Sequence, residues 1–206
     1  VTVDYDTNTF VFDNSAPDVQ VSSPGHGTAF NSLSEIYGIM GDMPASPLSS
    51  GTASSVWVRF TRYCDGKYWD GENWNPVIST LTVSNGVNTF VSSWTITTNL
   101  PGLSSGSSYY ITASAVDDAE NGGNRGAMGT SFADVIYDTH SPVSYLTAPV
   151  NGFSYKSLSS ITGTMSDKPD AAGSVVNSGS ALTEIRIQRL TPPTSYWTSL
   201  AWDTDS

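Results

Sequence analysis

The sequence predicts an all-β protein built from tandem β-sandwich domains. Three observations carry this. Apolar and polar residues alternate with period two over several stretches, and turn-forming dipeptides separate them. Ser and Thr make up about a quarter of the 206 residues, and both are weak helix formers. Finally, the chain repeats itself at a fixed offset of 125 residues, the size of one sandwich domain rather than of a short solenoid repeat.

The repeat is read from motifs in register. Asp13-Asn14-Ser15-Ala16-Pro17 recurs as Asp138-Thr139-His140-Ser141-Pro142. At the same offset Ser32–Pro44 and Ser157–Pro169 both read SLSxIxGxMxDxP. A few residues later in phase, Arg59 and Arg62 match Arg186 and Arg189, and Tyr68-Trp69 with Trp74 match Tyr196-Trp197 with Trp202. Upstream, Phe10-Val11-Phe12-Asp13 matches Val135-Ile136-Tyr137-Asp138. Residues 1–13 are therefore expected to be the last strand of a preceding repeat, 14–138 a complete repeat, and 139–206 the N-terminal half of the next. The chain opens on Val rather than Met and reads as a fragment of something longer.

The strands follow in order. The stretch 31–40 suits a buried strand, because Gly38 sits between Ile36 and Ile39 in a strand-rich context. Val56, Val58 and Phe60 alternate with Trp57, Arg59 and Thr61; Trp94, Ile96 and Thr98 alternate with Ser93, Thr95 and Thr97. Tyr109, Ile111, Ala113 and Ala115 alternate with Tyr110, Thr112, Ser114 and Val116. Each pattern is that of a half-buried strand. Pro24-Gly25, Asp65-Gly66, Asp70-Gly71, Asn85-Gly86, Pro101-Gly102 and Gly122-Gly123 punctuate them.

The run Leu103–Asn121 resembles the "L..G.Y.VTA.A.D.AGN" signature of bacterial immunoglobulin-like repeats. Asp13–Pro17 and Asp138–Pro142 resemble that family's "D.TAP" junction, and the Ile-x-Gly-x-Met-x-Asp pattern resembles its second strand. Met40/Met165 and Gly41/Ser166 replace the family's usual small residues, and the insert around Tyr68–Trp74 is absent from its shortest members. The resemblance implies tandem immunoglobulin-like sandwiches, with Tyr109 as a buried corner tyrosine whose hydroxyl bonds backbone. It also implies a stalk, spacer or adhesive segment of a long secreted or cell-surface protein.

Composition excludes some functions. Lys and Arg number 8 against 19 Asp and Glu, a net charge of −11. A nucleic-acid partner needs the opposite sign, as does anionic lipid. One cysteine, Cys64, forms no internal disulfide and builds no cysteine-based zinc site. No apolar run reaches the ~18 residues of a membrane span.

The candidate chemistry lies in acidic loops. In a seven-strand sandwich the first strand starts, the second ends and the loop between the last two strands turns at one pole. That gathers Asp13, Asp42 and the loop residues Asp117, Asp118, Glu120 and Asn121. Converging oxygens of this kind suit Ca²⁺; Asp and Asn are equally good turn formers. Asp138 and Asp167 occupy the matching places in the second repeat. Trp69 and Trp74 flank an Asp70-Gly71 hairpin tip, where they either stack on a sugar or pack on the sheet. The packing role explains their recurrence. His26 and His140 lack counterparts and metal-ligand spacing, and Cys64 reads as an inert thiol. No catalytic constellation is present. The expected function is non-catalytic and extracellular or at the cell surface. Expected partners are neighbouring repeats, identical chains or glycans. The alternatives are a carbohydrate-binding or spacer module of a glycan-active enzyme, and a filament subunit completed by strand donation.

Overall fold

The computed structural model describes residues 6–8, 10, 12–42, 53–83, 91–167, 182–199 and 201–203. Among these, two compact units are seen: the first runs to His140, the second covers Ser141–Asp167 and 182–203. Both are all-β. No helix of the described residues is long and apolar enough to cross a membrane.

The first unit contains β1 (Asp18–Ser23), β2 (Thr28–Phe30), β3 (Ile36–Gly41), β4 (Ala53–Arg62), β5 (Lys67–Trp69), β6 (Trp74–Asn75), β7 (Leu81–Val83), β8 (Val91–Ile96), β9 (Ser107–Asp117) and β10 (Ser131–Tyr137). One sheet has the order β1-β3-β8; the other runs β2-β10-β9-β4-β5-β6, with β7 also on β4. All pairs are antiparallel except β2 with β10. The two sheets share one core, an arrangement compatible with a β-sandwich. Val21, Ile36, Met40, Trp94 and Ile96 enter it from the smaller sheet. Val56, Val58, Phe60, Tyr109, Ile111, Ala113, Ala115, Ala133 and Val135 enter from the larger. Each large side chain so buried contributes about 1.5–3 kcal/mol.

The period-two patterns thus place their apolar rows inward. Ile36, Gly38 and Met40 are buried while Tyr37 and Ile39 face out. Gly38 is dictated by sterics: a Cβ there would lie 1.8 Å from the Gln20 carbonyl oxygen and 2.6 Å from the Trp94 ring. Tyr109 is buried and its hydroxyl accepts the Ser104 N–H at 2.8 Å, the corner geometry that the resemblance implies. Asp65-Gly66 and Asp70-Gly71 turn the hairpins joining β4 to β5 and β5 to β6, with positive φ at both glycines. Asn85-Gly86 and the Pro44 and Pro169 ends of the long motif lie outside the described residues. Before Asp18 the described residues form no strand, and most of the expected strand over 1–13 lies outside them; Phe10 and Phe12 are exposed.

The second unit contains β11 (Val143–Ala148), β12 (Thr162–Ser166), β13 (Gln188–Arg189), β14 (Ser195–Trp197) and β15 (Trp202–Asp203). β1 pairs with β3 as Asp18 with Gly41 through Val21 with Gly38, then shifts by a bulge to Ser23 with Tyr37. β11 pairs with β12 as Val143 with Ser166 through Leu146 with Gly163, then shifts to Ala148 with Thr162. Every pair, and the bulge, is displaced by 125 residues. Gly163 repeats the constraint on Gly38, with a Cβ 2.4 Å from the Tyr145 carbonyl oxygen.

Candidate metal centre

Two inward rows end in carboxylates. In β3 the phase that buries Ile36 and Met40 continues to Asp42, which is fully buried. In β9 the phase that buries Tyr109, Ile111, Ala113 and Ala115 continues to Asp117, 3% exposed. Strand geometry therefore forces both acids to the core side of their sheets. Asp13, half-buried in the segment before β1, joins them, and one carboxylate oxygen from each of the three lies within 4.8 Å of the others. At an effective dielectric near 20, two unit charges 4 Å apart repel by about 4 kcal/mol. A divalent cation turns that cost into attraction.

The loop after β9 holds the arrangement. Asp117 Oδ1 accepts N–H groups from Ala119 at 3.0 Å and Asn124 at 2.6 Å. Asn124 Nδ2 donates to Asp117 Oδ2 at 2.8 Å and to the Asp13 carbonyl at 3.2 Å. Asn124 thereby ties the loop to the segment preceding β1. Gly123, at φ +73°, sits where a Cβ would be 2.6 Å from the Asp117 carbonyl oxygen. Farther along, the Arg125 guanidinium lies 4.1 Å from the centre of the Trp57 ring.

The other expected ligands are not part of this close cluster. Asp118, Glu120 and Asn121 are exposed: all three lie beyond the end of β9, and Asp118 and Glu120 also fall out of phase with its inward row. Asp138, expected beside Asp167 in the second repeat rather than in this cluster, follows β10 beside the Ser107 end of β9, whereas Asp117 is at its other end. Ten residues at about 3.3 Å each separate those ends. There Asp138 closes a turn: its carboxylate accepts the His140 N–H at 3.0 Å, and its own N–H donates to Phe30 at 2.9 Å. Asp167 follows β12 in the second unit, in phase with Gly163 and Met165, and is half-buried.

Trp69 is buried and Trp74 half-buried, and their rings are tilted by 56° at 5.5 Å. Trp69 Nε1 donates to the Asn99 carbonyl at 2.7 Å, and Trp74 lies 5.7 Å from Tyr109. The Arg62 guanidinium stands 4.8 Å over Trp74, and Asp65 binds it through two hydrogen bonds of 3.0 and 2.7 Å. This pair packs over the sheet rather than offering two coplanar faces. The second unit repeats it: Trp197 and Trp202 are 5.6 Å apart, with Arg189 5.5 Å from Trp202. Arg59 over Tyr68 likewise matches Arg186 over Tyr196. Cys64 is exposed.

Sequence reading missed Asn124. Its signal was position alone, seven residues past an acid that ends an inward row. Fold and site together define an all-β chain with a buried acidic pole. No family model matches the chain, and neither a curated protein nor a solved structure matches it.

Proposed function

We propose that the chain is a non-catalytic structural segment: a tandem immunoglobulin-like stalk or spacer of a bacterial cell-surface or secreted protein. The observation that carries this reading is the recurrence of one strand register, bulge and glycine constraint included, 125 residues apart. The recurring Arg–Trp–Trp contacts support it further. A module repeated for its architecture serves length and stiffness.

The acidic pole of the first unit takes Ca²⁺ in this reading. An all-oxygen donor set is what that hard cation requires. Asp13, Asp42 and Asp117 would hold it, with Asn124 fixing Asp117. A bound ion would offset the mutual repulsion of the three carboxylates and link the segment before β1 to the ends of β3 and β9. Hinge freedom there would fall.

Thermal melting in millimolar Ca²⁺ and in EDTA tests the site. Calcium at a hundredfold excess over Kd is expected to stabilise by about 2.7 kcal/mol. Asp42→Asn is expected to abolish the response while melting higher than the parent in EDTA, because it removes one of three crowded charges. An identical melting point of the parent protein in both buffers overturns the calcium reading.

A further inference from the structure

We propose that the outer face of the larger sheet in the first unit carries a binding strip for a neutral polysaccharide. Four rings run across that face in contact. Tyr63 and Tyr110 have centroids 6.3 Å apart, Tyr110 stacks on Phe132 at 5.5 Å, and Phe132 meets His26 edge-on at 5.0 Å. Tyr63 and Phe132 are 55% and 40% exposed, and the His26 side chain is exposed too. Solvent-facing rings joined in this way cost solvation, unlike apolar residues scattered singly.

Polar groups are set among the rings. The Asp134 carboxylate accepts the Tyr63 hydroxyl proton, and its other oxygen lies 3.8 Å from His26 Nδ1. The Asp134 N–H donates to that same Nδ1 at 3.1 Å, so the neutral imidazole carries its proton on Nε2. Beside the strip is a shallow cavity of about 340 Å³ lined by Gly27, Tyr63, Ser108, Asp134, Val135 and Ile136.

Each feature suits a pyranose. Ring faces take its C–H surface, the carboxylate accepts its hydroxyls, and the imidazole N–H donates to one. An anionic ligand meets Asp134 and a chain of net charge −11. A peptide adding as a strand finds no open edge beneath the strip, since β9 lies between β10 and β4, and β10 between β9 and β2.

The repeat separates this strip from structural packing. Arg59, Arg62, Tyr68, Trp69 and Trp74 recur in the second unit with their contacts intact. His26 and Tyr63 are replaced by Asn151 and Leu190 at the equivalent positions. His26 and Tyr63 are thus peculiar to the first unit of the two, and the strip shares no residue with the calcium site.

The test is affinity electrophoresis of the full chain in native gels containing soluble mixed-linkage β-glucan, xylan or galactomannan. Alginate serves as the acidic control, and a proline-rich peptide is titrated separately. Retardation is expected in at least one neutral gel, at least tenfold weaker for Tyr63→Ala and for Phe132→Ala. Tyr63→Phe, which keeps the ring, is expected to fall between. Both alanine variants alter exposed side chains, and unchanged melting points verify their fold. No retardation in any neutral gel, equal retardation of parent and alanine variants, or binding only to alginate or the peptide would overturn the proposal.

Discussion

Val21 and Met40 lie in the core of the first unit, whereas Leu146 and Met165, 125 residues on, are 63% and 51% exposed. The backbone pairing around them is the same in both units, bulge included. What differs is the opposing layer. Over Val21 and Met40 stand the inward rows of β4, β9 and β10, from Val56 to Val135. Ile185, Ile187 and Trp197 of the second unit are likewise exposed, while their counterparts Val58, Phe60 and Trp69 are buried. A strand's register and twist are thus local properties, set by alternation and by a glycine where two backbones touch. Burial is a property of both layers together, and most of the stabilisation resides there.

Glycine substitution gives the largest expected effect. Gly38→Ala pushes a methyl into the Gln20 carbonyl and the Trp94 ring, and backbone yields less than a side chain tip. A loss above the ~1–3 kcal/mol of ordinary overpacking is expected. Gly163→Ala meets the same kind of obstacle but no buried ring, and should cost clearly less. Urea unfolding of the two variants measures the gap; equal losses would break the comparison.

Truncation of the paired methionines comes next. Met40→Ala is expected to cost about 3 kcal/mol, within the range for a buried methionine. Met165→Ala, half exposed, should stay within about 0.5 kcal/mol. A large loss for Met165→Ala would mean that its face is covered in solution.

The smallest effect concerns the turn after β4. The hydrogen bonds from Arg62 hold the Asp65 carboxyl down at about 2, helped by the Lys67 N–H. A carboxyl depressed on folding adds stability that is fully present above its unfolded value near 3.8 and is lost as pH falls through about 2. The group is on the surface, so the contribution is modest. The equivalent turn of the second unit reads Thr191-Pro192-Pro193-Thr194 and has no such acid. Asp65→Asn should therefore flatten the melting temperature of the first unit between pH 4 and 2. An unaltered slope would show that the pair contributes nothing there.

Much of the candidate site was legible before the fold. Asp13, Asp42 and Asp117 were marked by their places at the start of the first strand, the end of the second and the last loop of a sandwich, which share a pole. Phase also separates Asp117 from Asp118 and Glu120, which the loop's composition alone treats as equals. Asn124 was not legible, because its role depends on reaching the Asp13 carbonyl 111 residues away. The strip of His26, Tyr63, Tyr110 and Phe132 was hidden for the same reason, its members coming from one turn at each of two places and from two adjacent strands.

The sequence by itself determined the strand class, the 125-residue recurrence, the inward rows and the glycine at each close backbone approach. These follow from side-chain alternation and local sterics, which act over a few residues. Only the tertiary structure decided which rows are covered, that Trp69 and Trp74 spend their faces on packing, and that of the acids expected at one pole Asp13, Asp42 and Asp117 bring carboxylate oxygens within 4.8 Å of one another. Those outcomes depend on which sheet lies opposite which, and that pairing is settled by contacts between residues far apart in the chain.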